Sequence, residues 1–201
     1  MALNFRGAEA VVKEISWADK PAISKFRNPR GYRHPDLDQK LIRERLRNEA
    51  RLLEKLAESG LPVPSLYSVN LDGTLIMEKI EGPSLEEFLK SNNDLSKIKD
   101  LGCLLSNIHA SGIVHGDPTS SNFIVSSKLY AVDFGLGSVD DSNEARATDL
   151  RVLLESLEGH HSELNCRETL LDSYSDWEKS NSVLDRLKII ERRGRYNLMR
   201  G

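Results

Sequence analysis

The stretch VHGDPTSSNFIVSSKLYAVDFG, Val114 to Gly135, decides how the rest of the chain is read. It sets two acids, Asp117 and Asp133, and one amide, Asn122, among small, polar and β-forming residues. Asp117 and Asn122 stand five apart in a segment that reads as a loop, after a helix and two apolar residues. Asp133 follows a run that reads as a strand, and Phe134 and Gly135 come after it. Oxygen donors brought together at strand ends suit a magnesium–phosphate site.

Upstream of this stretch, a helix is expected from about Asp94 to Ala110, stopped at Gly112, with Ile98, Leu101, Leu105 and Ile108 on one face. Before it, EGPSL reads as a connector, and Ser84 with Glu87 has capping-box spacing for a further helix. PSLYSVN and GTLIMEKI read as strands joined at Asp72-Gly73. Ala8–Ile15 and Ala22–Phe26 read as two more, with SWADKP as their turn. The Pro-, Gly- and Arg-rich RNPRGYRHPD is a loop, and a long helix then runs from about Asp36 to Glu58, stopped by Gly60. Downstream, ATDLRVLLESL is a strong helix, and weaker helical segments fill the remainder. The chain divides into a strand-rich part, residues 1–79, and a helix-rich part, residues 80–201, with a hinge near Met77 to Gly82. The expected class is α+β.

One residue of the first long helix breaks its pattern. Ile42, Leu46, Leu53 and Leu56 form a narrow apolar stripe at 100° per residue, and Glu49 falls in the middle of it. A carboxylate facing a core is costly unless it is paired, so the helix calls for a buried cation. Lys25, in AISKF on an adjacent strand, is the preferred partner; Lys13 and Lys20 are the alternatives. A paired lysine can be presented to phosphate oxygens, one acid can orient a nucleophile, and an amide oxygen with a second acid can hold magnesium.

The totals restrict the classes. The 201 residues are 39% apolar and 29% charged, which fits a packed core rather than disorder. A net charge of -3 argues against nucleic-acid binding by bulk charge. Cys103 and Cys166 form no CxxC and read as reduced thiols. No run approaches a membrane span, and MALNFRGAEA has no signal-peptide core, so a cytoplasmic protein without membrane contact is expected. His160, His161 and Cys166 fit no metal-site spacing. The basic residues from Arg27 to Arg51 read mostly as a solvated face, with contact to a partner or a nucleic acid as the other reading.

Taken together, AISK, Glu49, VHGDPTSSN and VDFG resemble the strand lysine, helix glutamate, catalytic loop and metal-binding segment of protein kinases. The resemblance implies a bilobal fold that binds ATP and Mg2+. The departures narrow it. The loop reads His-Gly-Asp, so Gly116 offers no guanidinium to an activation-loop phosphate, and Thr119 stands where many protein kinases have a lysine. There is no GxGxxG; Gly7 in RGAEA alone could cover phosphates. No APE follows, and the 66 residues from 136 to 201 are too few for a full C-lobe.

This abbreviated pattern is similar to the small atypical kinase of the KEOPS complex, the p53-related protein kinase family. GAEA, GYRHP, IEGPSL, HGDPTSSN and RRGRYNLMRG carry that likeness, which covers essentially the whole chain; Pro118, where the family has an aliphatic residue, departs from it. The resemblance implies a minimal kinase-like fold with a reduced helical C-lobe. It implies an ATPase with weak serine/threonine kinase activity. It also implies two partners, a threonylcarbamoyltransferase subunit and a small helical subunit. With them the assembly makes threonylcarbamoyladenosine in tRNAs that read codons beginning with A.

By the same resemblance, Asp117 is the catalytic acid, Lys25 and Glu49 the anchoring pair, and Asn122 and Asp133 the metal ligands. Met77 is the gatekeeper, and Glu78 and Ile80 meet adenine through their backbone. Asp149 bonds the catalytic-loop backbone, and His115 orients the loop. Arg192, Arg193, Arg195 and Arg200 form a tail suited to phosphate contacts in the complex and with tRNA. A free-standing RIO-like serine kinase and a nucleotide-binding scaffold without chemistry are the alternatives. Aminoglycoside phosphotransferases share the loop signatures but need a larger C-terminal half.

Overall fold

The computed structural model describes residues 4–6, 10–28, 34–70, 72–92, 94–161 and 164–198; of 4–6, 35 and 194–198 only the backbone is described. Branched and aromatic residues over VVKEISW and KPAISKF favour extended chain. They build β2 (Val11–Trp17) and β3 (Lys20–Phe26), preceded by the three-residue β1 (Asn4–Arg6). Only Ala18 and Asp19 separate the paired Trp17 and Lys20, and both have positive φ, 47° and 61°. That mirror-image turn matches the twist of the strands, so Ser16, Trp17, Lys20 and Pro21 belong to the ladder rather than to a longer turn. β4 (Leu66–Val69) and β5 (Thr74–Glu78) complete an antiparallel sheet in the order β1-β2-β3-β5-β4. β1 is too short to carry a periodic signal and was not expected. The strand expected from Ala8 begins at Val11; Gly7 to Glu9 lie outside the described residues.

Helix α1 (Pro35–Glu58) starts on a proline, with Asp36 and Asp38 in its first turn, where the helix dipole favours negative charge. Its buried Leu46, Ala50, Leu53 and Leu56 join Leu75 and Met77 of β5 in one apolar core. The same core continues through the C-terminal part of the chain.

That part opens with α2 (Leu85–Ser91), whose Ser84–Glu87 capping box is formed in both directions. α3 (Ser96–Ala110) follows and buries Ile98, Leu101, Leu105 and Ile108 completely. Four short strands then carry the quoted stretch: β6 (Ile113–Val114), β7 (Phe123–Val125), β8 (Leu129–Ala131) and β9 (Ser138–Val139). β7 pairs with β8, and β6 with β9, so the loops after β6 and β8 are tied down on both sides. α4 (Asn143–His160), α5 (Cys166–Tyr174) and α6 (Ser180–Leu198) close the chain, α5 against α3 and α6 against α4.

The molecule is therefore α+β, a β-sheet N-lobe joined to a helical C-lobe. Arg192 and Arg193 of the basic tail lie within α6, which continues to Leu198. Among the described residues, no helix is long and apolar enough to cross a membrane.

Candidate active site

Lys25 stands on β3 between Val12 of β2 and Leu75 of β5, and its side chain is buried under α1. Its Nζ lies 2.6 Å from Glu49 Oε1 and 2.6 Å from Asp133 Oδ1. Glu49 is only 1% exposed, so the acid in the apolar stripe is indeed inside, and Lys25 rather than Lys13 or Lys20 meets it. A second cation was missed. Arg27 Nη2 donates to Glu49 Oε2 at 2.9 Å, and Arg27 is 5% exposed. The expectation that basic residues from Arg27 onward line a solvated face fails at Arg27, because it directly follows β3 and its N–H is still bonded to the Gly73 carbonyl, which keeps the chain extended and its side chain inward. The available signal was its spacing: two residues past Lys25, it falls on the same face of an extended chain.

Asp133 has φ +60°, in the left-handed region that residues other than glycine rarely adopt. Its Oδ1 accepts from Gly135 N–H at 3.2 Å as well as from Lys25. Partial burial pushes the Asp133 carboxyl upward, but the adjacent Lys25 ammonium, the Gly135 N–H and the Arg27 guanidinium outweigh it and hold the acid below its ordinary value. The side chain is half exposed, so the acid stays ionised and accessible from the cleft.

In the loop after β6, Asn122 Nδ2 donates to the Asp117 carbonyl at 2.8 Å and to Asp117 Oδ2 at 3.3 Å. That orientation leaves the Asn122 amide oxygen as an available donor atom for a cation. Val132 N–H donates to the Asn122 carbonyl at 3.0 Å, joining this loop to the strand that delivers Asp133. An amide oxygen and a carboxylate suit magnesium, which favours few protein oxygens together with phosphate and water. Among the described residues, no group of three or more His, Cys, Asp and Glu side chains is placed to hold a metal ion. At the position where many kinases carry a lysine, the Thr119 hydroxyl instead meets the Ser121 hydroxyl at 2.9 Å.

The loop itself is suspended from below. Asp149 on α4 accepts from His115 N–H at 2.6 Å and Gly116 N–H at 3.0 Å. Gly116 has φ +81°, and a Cβ there would lie 2.2 Å from the Leu136 carbonyl oxygen. The backbone therefore demands glycine in His-Gly-Asp. His115 Nε2 is 3.0 Å from the Val132 carbonyl and its Nδ1 is 3.4 Å from Asp117 N–H. A carbonyl can only accept and an N–H can only donate, so the partners assign the proton to Nε2. Burial lowers the His115 pKa, which agrees with this neutral form. Its ring packs 4.6 Å from that of Phe134, so the histidine couples the two loops. Behind it, His109 Nε2 lies 3.2 Å from Asp149 Oδ2, and His109 Nδ1 lies 2.8 Å from the Tyr174 hydroxyl.

At the end of the N-lobe sheet, Met77 is buried in β5, paired with Ile23 and Leu66. Glu78 is held by Ser65: its N–H donates to the Ser65 carbonyl, and its carboxylate accepts from Ser65 N–H and Oγ. Lys79 bridges Glu14 at 3.1 Å and Glu81 at 3.0 Å, pinning the hinge to β2 next to the half-buried Ile80. Gly7, Arg200 and the side chain of Arg195 lie outside what is described, whereas Arg192 and Arg193 are exposed on α6. The structure thus bonds Lys25, Glu49 and Asp133 into one cluster and Asp117 with Asn122 into another, and the Val132–Asn122 backbone bond and His115 link the two.

The sequence profile of the RIO domain matches residues 17–155, from the first hairpin turn into α4. Over 198 residues the chain is 39% identical to the EKC/KEOPS complex subunit BUD32 of Encephalitozoon cuniculi, covering 97% of this chain and 96% of that protein.

The chain belongs to the RIO-domain family, in its Bud32 branch.

It is also 36% identical, over 195 residues, to the probable bifunctional tRNA threonylcarbamoyladenosine biosynthesis protein of Methanothermobacter thermautotrophicus. This Bud32-family chain spans 36% of that longer archaeal protein. Among solved structures, it superposes on the Rio2 kinase of Chaetomium thermophilum in its complex with ADP, Mg2+ and phosphoaspartate. The TM-score is 0.69 at 15% identity, over 97% of this chain and 70% of the other. At that identity the likeness speaks for the fold of the Bud32-family chain.

Proposed function

We propose that this protein is the ATP-using, kinase-like subunit of a KEOPS complex and supports threonylcarbamoyladenosine formation in tRNAs that read codons beginning with A. The observation that carries the catalytic half of this reading is the convergence of Lys25, Glu49 and Asp133 within hydrogen-bond distance, beside a loop that presents Asp117 and Asn122. The assembly half is supported by the near-full-length likeness to a KEOPS subunit. A region resembling this chain within a bifunctional archaeal protein supports a partner that works on the same tRNA modification.

In this reading Lys25 takes the α- and β-phosphates while Glu49 keeps it in place, and Asp117 orients the attacking water or hydroxyl. Asn122 and Asp133 would hold Mg2+, which offsets the charge that develops on the phosphates. Glu78 and Ile80 meet adenine through their backbone, behind Met77, and Gly7 covers the phosphates. Thr119 supplies no cation to the transferred phosphoryl group, which favours slow hydrolysis with weak serine/threonine phosphorylation over rapid protein phosphorylation. The lobes divide at 79/80, where the pinned hinge separates sheet from helices. A threonylcarbamoyltransferase subunit and a small helical subunit are the partners, and Arg192, Arg193, Arg195 and Arg200 contact tRNA phosphates through the assembled complex. The place of action is the cytoplasm.

The test is to isolate the tagged protein from its own cells and to assay the complex recovered. The expected result is co-recovery of a threonylcarbamoyltransferase. Asp117→Asn should keep nucleotide binding and lower ATP turnover by about 10²–10⁴-fold. Recovery without that partner would favour a free-standing RIO-like kinase, and equal turnover in the Asp117→Asn variant would remove Asp117 from the mechanism.

A further inference from the structure

The Lys25–Glu49 pair contains one interaction more than phosphate anchoring needs. Lys25 has three N–H donors but a single positive charge to divide among the anions around it. Its Nζ is shared between Glu49 Oε1 and Asp133 Oδ1, each at 2.6 Å. When a phosphate takes a share of that charge, Glu49 stays bonded but, at 1% exposed, is left under-compensated, the costly case for a buried acid. Arg27 removes that penalty. It occupies the other carboxylate oxygen, Oε2, at 2.9 Å, from a position that is itself buried.

The guanidinium also touches the metal-acid segment. A Cβ on Gly135 would fall 2.3 Å from Arg27 Nη2 and 2.9 Å from Asp133 Oδ1. Arg27 thus fills the space a side chain at 135 would take, and joins β3, α1 and the segment after β8. In many kinases the helix bearing this glutamate swings, and pairing with the strand lysine is what activation controls. Here the glutamate has a second partner, Arg27, in the residue that directly follows the same strand.

We propose that Arg27 is a positioning residue, the standing counter-ion of Glu49, which holds α1 in its working place whether or not Lys25 is engaged and leaves Lys25 free to exchange Asp133 for nucleotide phosphate. This rests on the phosphoryl-transfer reading of the site but is tested apart from it, in protein without nucleotide or metal. Among the described residues, the groups bonded within the cluster include Lys25 of β3, Arg27 just after it, Glu49 from α1, and Asp133 with the Gly135 N–H from the loop after β8. The consequence is an enzyme assembled at all times, whose helix position is not set by the Lys–Glu pair.

Hydrogen exchange of the α1 amides around Glu49 gives the direct readout, measured on the full chain free of nucleotide. Lys25→Met should change exchange there less than ~threefold, since Glu49 keeps Arg27. Arg27→Gln should speed it by ~tenfold or more, as for a broken buried pair. Arg27→Lys should restore most of the protection, which separates charge from packing. Gly135→Ala, which crowds the guanidinium from the far side, should move exchange in the same direction as Arg27→Gln. Should Arg27→Gln prove too unstable to purify, Arg27→Lys and Gly135→Ala carry the comparison. Faster exchange in Lys25→Met than in Arg27→Gln, or unchanged exchange in both Arg27 variants, would overturn the proposal. Loss of ATP turnover in Lys25→Met with α1 still protected supports it. Full turnover in Lys25→Met with α1 still protected would instead discard the phosphoryl-transfer reading and leave the counter-ion role standing.

Discussion

Two buried polar systems meet at the cleft, and they are built on opposite plans. On the sheet side, Lys25, Arg27, Glu49 and Asp133 set charge against charge. On the helix side, Tyr174, His109, Asp149 and His115 hold the loop backbone through hydrogen bonds in which both histidines are neutral. The first system keeps a half-exposed member, Asp133, and a lysine that can change partners. The second is closed: His109 and His115 are fully buried and Asp149 is 3% exposed. Its bonds end on backbone N–H groups, which cannot swing away. One region is made to exchange ligands, and the other to keep still.

The largest expected effect follows from the closed region. Asp149→Ala strands the N–H groups of His115 and Gly116 and removes the partner of His109. It should cost about 3–5 kcal/mol, read as a lower denaturant midpoint, with turnover falling alongside because Asp117 loses its support. Lys25→Met should do the reverse, removing turnover with little loss of stability. If both variants lost stability equally, the contrast between the two regions would fail.

Further out on the same chain of bonds, Tyr174→Phe removes one donor to His109 and should cost about 1 kcal/mol in the same unfolding titration. A change several times larger would mean that the relay acts as a unit rather than as separate bonds.

Acid gives the smallest and broadest signal. Burial lowers the pKa values of His109 and His115 below the ordinary 6.5, so the unfolded chain takes up protons more readily than the folded one. Their contribution to stability is complete above about pH 6.5 and is lost as pH falls through the lowered values. Protonated His115 would also set an Nδ1–H against the Asp117 N–H. The midpoint of thermal unfolding should therefore fall below pH 6.5, and more gently in His115→Gln. Equal slopes in the two proteins would show that His115 takes up its proton alike in the folded and unfolded chain, against a lowered value.

What could be read from the sequence divides along the same line. Glu49 was legible because a helix with a 3.6-residue repeat exposes a misplaced charge, and the loop with Asp117 and Asn122 because its spacing is local. The helices ending before Gly60 and Gly112, and the Ser84–Glu87 cap, were legible for the same reason. Asp149 entered through its place in a resembling motif. Arg27 was hidden by its neighbours, since RNPRGYRHPD has loop composition and a single residue at a strand end carries no period. Tyr174 and His109 are 65 positions apart, and only the packing of α5 on α3 brings them together. β1, β6 and β9 have two or three residues each, below the length at which alternation can be seen.

ATP use by this protein should run through Asp133. Magnesium-dependent release of phosphate from ATP, followed with the purified full chain and its Asp133→Ala variant side by side, tests it most directly. The account predicts slow hydrolysis that requires magnesium in the first protein and none above background in the second, with both unfolding at similar temperatures. Equal, magnesium-dependent hydrolysis by the two proteins would contradict it.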